Sequence, residues 1–329
     1  MSWQSLLGHQ DAVDRFRLAK QNGRLGNAYL LVGPTGVGKR YFARVLAKSL
    51  LCFNASEDLE ACGICESCRE FQSGVHPDFY SVACPEDRRI LPLELLVGDR
   101  EHRAREGLCF WMRLAAIRSG RKVAVIEDAD ALADEGANAL LKTLEEPPAN
   151  SVLLLVSHNL QRQLPTIRSR CQLVLFSALN LAHLTALILK SGLAESEEAA
   201  QQLAAMSNGS LDVASELSDP AWFDFHEELS KFMTAETIDA VTLASEVNNF
   251  VEQAGTTLPE RRTRLRQVLR FAADSLREQL RDAVVDNPEQ VSRQRKLMQA
   301  LDQCVTTLIQ VDSNAHPATT IDSWAGSLR

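Results

Sequence analysis

From Asn27 to about Phe176, short apolar runs rich in β-branched residues alternate with segments whose apolar residues recur every three or four positions. That alternation predicts a parallel sheet with helices on both faces. The expected strands are AYLLV, DFYSV, KVAVIE, SVLLLVS and QLVLF. The helices between them include KRYFARVLAKSLL and GANALLKTLEE, the second stopped by Pro147 and Pro148, which cannot continue a helix. Beyond Phe176 the strand signals vanish. Amphipathic helices take over: LAHLTALILKSG, SEEAAQQLAAMS, DVASEL and three or four longer ones. SNGS at 207–210 and SDPAW at 218–222 punctuate this half. The pattern therefore predicts an α/β module over 1–176, a small helical domain over 177–217 and a larger all-α domain over 218–329.

The composition narrows the class. The 329 residues are 45% hydrophobic and 24% charged, with a formal net charge of −8. Such an acidic balance argues against a free-standing protein that grips nucleic-acid backbone. RRTRLRQ at 261–267 is the main basic run and reads as a solvated helix face. No apolar stretch approaches a membrane span, and MSWQSLLGHQDAVDRF lacks the basic and apolar regions of a signal peptide. The expectation is a cytoplasmic chain without membrane contact, whose eight cysteines are mostly reduced thiols.

GPTGVGKR at 33–40 follows the first strand and opens a helix. In that arrangement backbone N–H groups cradle phosphates and a lysine reaches the outer oxygens, which assigns those roles to Gly33, Gly36, Gly38 and Lys39. The motif normally closes with Ser or Thr, whose hydroxyl ligates magnesium; here Arg40 stands in that place and cannot ligate a cation. The acidic strand end VAVIEDAD offers Glu127 and Asp128 in the reverse of the usual metal-then-water order. Displacing each group by about one methylene, on the order of 1 Å, costs around a hundredfold in rate. Both departures point away from hydrolysis, while binding of ATP or ADP stays open.

Cys52, Cys62, Cys65 and Cys68 give the spacing C-x9-C-x2-C-x2-C. Thiolates so spaced close a tetrahedral shell, with structural zinc the expected ion and an iron–sulfur cluster the alternative. Cys84, Cys109, Cys171 and Cys304 are scattered and read as small core residues.

GPTGVGK, the four cysteines after the first helix of the module, HPDFY at 76–80, NALLKTLEEPP at 138–148 and IRSRC at 167–171 occur together in the order found in one family. The chain resembles the bacterial DNA polymerase III clamp-loader subunits, of the AAA+ group. The resemblance is close over the first half; the second half matches by architecture and by the ending SNAHPATTIDSW. It implies a RecA-like AAA+ module, a helical lid and a C-terminal collar domain. It also implies partners: gamma/tau and delta subunits, and through the assembly a sliding clamp and primed DNA. Motor subunits of the family carry Lys followed by Thr or Ser, then Asp-Glu, then a sensing arginine in G-S-L-R. This chain has Arg40, Glu127-Asp128 and Asp212 instead. These losses fit the delta-prime branch, a part of the polymerase holoenzyme without activity of its own. The family's Ser-Arg-Cys triplet implies that Arg170, positioned by Ser169 and Cys171, projects into a neighbour's ATP site. The rival readings are a hydrolysing gamma/tau-type motor and an AAA+ module of another DNA-repair machine. The segment 86–113 departs from the family and carries no assignment.

Overall fold

A strand buried on both faces reads as an unbroken apolar run, and the strands here behave accordingly. β1 (Ala28–Val32), β2 (Phe79–Val82), β3 (Lys122–Ile126), β4 (Ser151–Ser157) and β5 (Gln172–Leu175) form one parallel sheet in the order β2-β3-β4-β1-β5. β1, β3 and β4 are buried at every position, whereas β5 at the edge exposes Gln172 and Leu175. This computed structural model describes residues 2–85, 88, 90–103, 105–235, 238–286, 291–313 and 315–328. Glu86 of the irregular segment and Asn314 of the closing motif lie outside them.

The two faces of β1 carry different partners because successive side chains point to opposite sides. Tyr29 packs on Phe16 of α1 (Gln10–Gln21), ring centroids 4.5 Å apart, and Phe16 in turn on Phe42 of α2 (Lys39–Leu51). A short α3 (Glu66–Gln72) follows the cysteine insertion. Ala28, Leu30 and Val32 face the other way, into a core with Leu96 of α4 (Leu93–Val97), Leu108 of α5 (Gly107–Arg113), Leu140 of α6 (Asp134–Glu145) and Ile167 of α7 (Pro165–Arg168). The α/β module with helices on both faces is the architecture expected from the pattern.

Helices α8 (Leu181–Ser191), α9 (Glu197–Met206) and α10 (Leu211–Leu217) follow. Compact packing divides the chain into residues 1–215 and 216–329, a division two residues before the expected 217/218 boundary. The second unit holds α11 (Pro220–Thr234), α12 (Ala240–Glu252), α13 (Leu258–Asp286), α14 (Val291–Asp312) and α15 (Pro317–Ser327). Its core stacks Phe225 on Phe250, centroids 4.0 Å apart, and buries Trp324, whose Nε1 donates to Cys304 Sγ at 3.2 Å.

The basic run on α13 corrects the sequence reading. Arg264 is largely buried, pairs with Asp219 at 2.9 Å and lies over the Phe250 ring at 4.6 Å. Arg261 donates to Gly255 O and Arg262 to Ala315 O. Arginine's long apolar stem and flat head suit it to such packing, so this face holds the helices together and is not merely solvated. The scattered cysteines divide: Cys109 and Cys304 are buried as expected, while Cys84 and Cys171 are half-buried.

HPDFY has a structural task. Asp78 is buried and accepts the N–H groups of Ile117, Arg118 and Ser119 at 2.7 to 2.9 Å, together with the Ser119 hydroxyl. The Asp78 amide donates to His76 Nδ1 at 3.1 Å, which leaves the ring proton on Nε2, 3.0 Å from Ser67 Oγ; that hydroxyl donates to Leu51 O at 2.7 Å. The motif thereby ties the base of the cysteine insertion to the loop before β3. Burial pushes the Asp78 carboxyl up, but the donors from Ile117, Ser119 and Arg118 outweigh it and hold the group below the ordinary range. A carboxyl held lower in the fold than in the unfolded chain contributes stability that is complete above about pH 4 and fades as pH falls below it. Asp78→Asn should cost about 3 kcal/mol at pH 7, from buried donors left without an anion. Urea unfolding at pH 7 and pH 3.5 checks this, because the gap between wild type and variant must narrow at the lower pH.

Candidate nucleotide site and metal centre

β1 ends at Val32 and α2 begins at Lys39, so the glycine loop joins strand to helix as its motif requires. Gly36 and Gly38 have φ of +69° and +96°, backbone that side chains rarely adopt. Gly33 answers a different demand. A Cβ there would collide with the carbonyl oxygen of Phe176 and lie 2.8 Å from its Cβ, and neither can move away cheaply. Gly33→Ala is therefore expected to destabilise by about 3 kcal/mol through overpacking, read as a lowered denaturation midpoint with no ligand present.

The space above the loop is taken by protein. At Gly36 a Cβ would collide with Ser210 Oγ and lie 2.6 Å from the Asp212 nitrogen, while Leu211 donates to Gly36 O at 2.9 Å. Ser210, Leu211 and Asp212 of GSLD thus sit directly on the loop. Lys39 is buried and folds back: its Nζ donates to Gly33 O at 2.6 Å and to Pro34 O, and lies 3.3 Å from His158 Nδ1. An ammonium has three donors, and here all three have protein partners. Burial lowers the Lys39 pKa to about 8, against the pull of Asp130 and Asp212.

The acidic pair is occupied in the same way. Arg40 pairs with Asp128, and its Nε lies 3.9 Å from Glu127; Arg44 Nε lies 3.7 Å from Glu127 on its other oxygen. Ser81 Oγ donates to Glu127 at 2.7 Å and the Cys84 amide to Asp128 at 3.1 Å. Guanidinium groups thus face both carboxylates and offset their charge. Asp130, the third acid of EDAD, escaped the sequence reading. It accepts from Ser157 Oγ, the His158 amide and Gln163 Nε2 at 2.9, 2.5 and 3.0 Å, locking the ends of β3 and β4 together.

Cys52, Cys62, Cys65 and Cys68 do converge, with all four Sγ atoms within 4.8 Å of one another. Cys52 Sγ lies 3.5 Å from Cys62 Sγ and 3.8 Å from Cys65 Sγ. A tetrahedron with zinc–sulfur bonds of about 2.3 Å has edges of about 3.8 Å, so the donor set fits zinc. The amides of Cys62, Cys65 and Cys68 donate to the sulfurs of Cys52, Cys62 and Cys65 at 3.3 to 3.4 Å, which stabilises thiolates. Backbone donors at Ile64 and Cys65 bring the Cys62 thiol down to about 6, whereas burial pushes Cys68 up. Gly63, at φ +77°, makes the turn between the pairs.

Arg170 lies elsewhere. It follows α7 and precedes β5, whose first residue pairs with Tyr29 near the start of β1, while the glycine loop follows the end of β1. The arginine and the chain's own loop therefore occupy opposite edges of the sheet. Arg170 Nη2 meets Glu145 Oε1 at 2.6 Å, Nη1 donates to Thr166 O at 3.0 Å and Ser169 Oγ lies 3.3 Å from Nη1. Its side chain is 32% exposed, and that of Glu145 is 50% exposed. Burial pushes the Cys171 thiol up to about 12, so the group stays protonated at neutral pH. Glu145 belongs to the TLEEPP motif, and only the fold shows that this motif and SRC meet.

A family model described as DNA polymerase III, delta subunit, matches residues 8–180. The chain belongs to that family. The DNA polymerase III subunit delta′ of Pseudomonas aeruginosa is 41% identical over 145 residues, 44% of this chain and 41% of the relative. That of Escherichia coli is 37% identical over 153 residues, 46% and 43% respectively. The subunit tau of Salmonella typhimurium is 32% identical over 203 residues, 60% of this chain and 30% of tau. These matches span less than half the length of each relative. With the delta′ relatives more identical than tau, the delta-prime resemblance read from the sequence holds. No helix among the described residues is long and apolar enough to cross a membrane.

Proposed function

We propose that this delta-prime-family chain is a non-hydrolysing subunit of a DNA polymerase III clamp loader that lends Arg170 to a neighbour's ATP site. One observation carries the reading: Arg40 and Arg44 hold the acidic pair Glu127 and Asp128 where a motor would bind magnesium. The inward Lys39 and the GSLD segment on Gly36 support it, since both fill positions a triphosphate needs. Any residual nucleotide contact would rest on the cavity of about 310 Å³ lined by Leu6, Leu7, Gly8, Gln10, Asp11 and His183, where His183 Nδ1 is buried with no hydrogen-bond partner among the described residues.

The four cysteines would hold a structural zinc ion that closes the insertion at 52–68. The unit 216–329 would serve as the collar through which gamma/tau and delta subunits assemble. Val291, Met298, Val305 and Ile309 form an exposed apolar stripe along α14, at a spacing that keeps them on one face and suits helix packing. Such an assembly would open a sliding clamp and load it onto primed DNA.

The test is ATP turnover by the reconstituted loader with clamp and primed DNA. Arg170→Ala should cut turnover, and Lys39→Met should leave it unchanged. The opposite pattern would make this chain a gamma/tau-type motor, and the proposal would fail.

A further inference from the structure

At the edge of the sheet where the strands start, on the face covered by α1 and α2, lies a cleft of about 370 Å³. Four chain segments meet there: Lys20 from α1, Ser49 and Cys52 at the end of α2, Ser119 to Arg121 before β3, and Asn150 before β4. Among the described residues no carboxylate lines it, and its acidic group is the Cys52 thiol. Arg121 is half-buried, and among the described residues its guanidinium has no hydrogen bond and no ion pair. Lys20 Nζ donates to Ser56 O at 3.0 Å and is otherwise turned to the same space. The Asn150 side-chain amide and the N–H groups of Gly120 and Arg121 likewise have no partner among the described residues. Gly120, at φ +66°, leaves open space where a side chain would stand.

Two cations gathered beside one thiol and no carboxylate repel one another, and holding them half-buried favours a further anion between them. Burial, followed by the charge of Arg121, lowers the Lys20 pKa against the opposing pull of Cys52, and burial lowers that of Arg121 against that of Tyr29. The groups facing the cleft are a planar fork, an ammonium, an amide and consecutive backbone donors. That donor-rich set matches the oxygens of a phosphate group. We propose that this cleft is a second phosphate site, remote from the glycine loop, in which Arg121 and Lys20 bind either a free phosphate or a phosphodiester of nucleic acid.

The proposal is tested on the full chain by titrating inorganic phosphate, at constant ionic strength, against thermal midpoint and 31P line width. Saturable binding in the millimolar range is expected. Arg121→Gln and Lys20→Gln should each weaken it at least tenfold, Arg121→Lys should weaken it less, and Arg118→Gln, outside the cleft, should change nothing. A 20-base-pair duplex separates the sources: displacement of phosphate by the duplex, lost in Arg121→Gln, identifies a backbone phosphodiester, and its failure to displace identifies a free phosphate. The proposal is overturned if phosphate has no effect beyond chloride, or if Arg121→Gln binds it as wild type does. It is also overturned if the variant changes only the metal content of the cysteines, since the cations would then serve as counter-ions to the thiolates.

Discussion

Arg170→Ala in the reconstituted loader should lower ATP turnover at the site it serves by about a hundredfold to a thousandfold, because a guanidinium at the transferring phosphoryl group supplies effects of that order or larger. The chain itself should fold normally. Arg170 meets Glu145 across an exposed pair, and such pairs contribute about 1 kcal/mol or less. The same weakness would let the arginine exchange Glu145 for a neighbour's phosphate at little cost. Arg170→Lys should restore little, since a lysine head is a point charge without the planar fork. Steady-state turnover with clamp and primed DNA, with assembly checked by sizing, gives the answer. Full activity in a properly assembled Arg170→Ala complex would remove the role.

The second large effect is expected at the cysteines. Cys65→Ala should abolish stoichiometric zinc and lower stability by about 4 kcal/mol, a fall in midpoint of about 10 °C, since a structural ion's binding energy is folding energy. Around 52–68 the insertion is tied to the module by hydrogen bonds from Trp3, Arg17 and Lys20 but buries few side chains of its own. Ile64 at its tip is 74% exposed, and its buried residues are Leu59, Ser67 and Cys68. Metal analysis with thermal melts of wild type, Cys65→Ala and Cys84→Ala tests this, Cys84 lying outside the cluster. Zinc-free wild type from chelator-free purification, or full zinc in Cys65→Ala, would overturn it.

The strands were legible because burial on both faces leaves AYLLV, KVAVI and SVLLLVS without polar interruption. The cysteine cluster was legible because its members are close in sequence. What escaped notice depends on contacts across long separations. The pairing of Arg40 with Asp128, the role of Asp130 and the resting place of Arg170 on Glu145 join residues 25 to 88 positions apart. Each side chain is ordinary alone, so periodicity carries no trace of the meeting. The arginines of α13 misled for the same reason: charge alone does not reveal that Arg264 will lie on Phe250.

The seating of Leu211 and Asp212 on Gly36 also has a mechanical side. In an ATP-driven ring, a module and its lid work as a hinge, and nucleotide exchange sets the angle. Here a backbone hydrogen bond and a close glycine contact join the two, and under the proposed function they would keep that hinge closed. A closed hinge stores no stroke; it would give neighbouring subunits a fixed point against which to turn, and the chain's contribution to movement would lie in its stiffness.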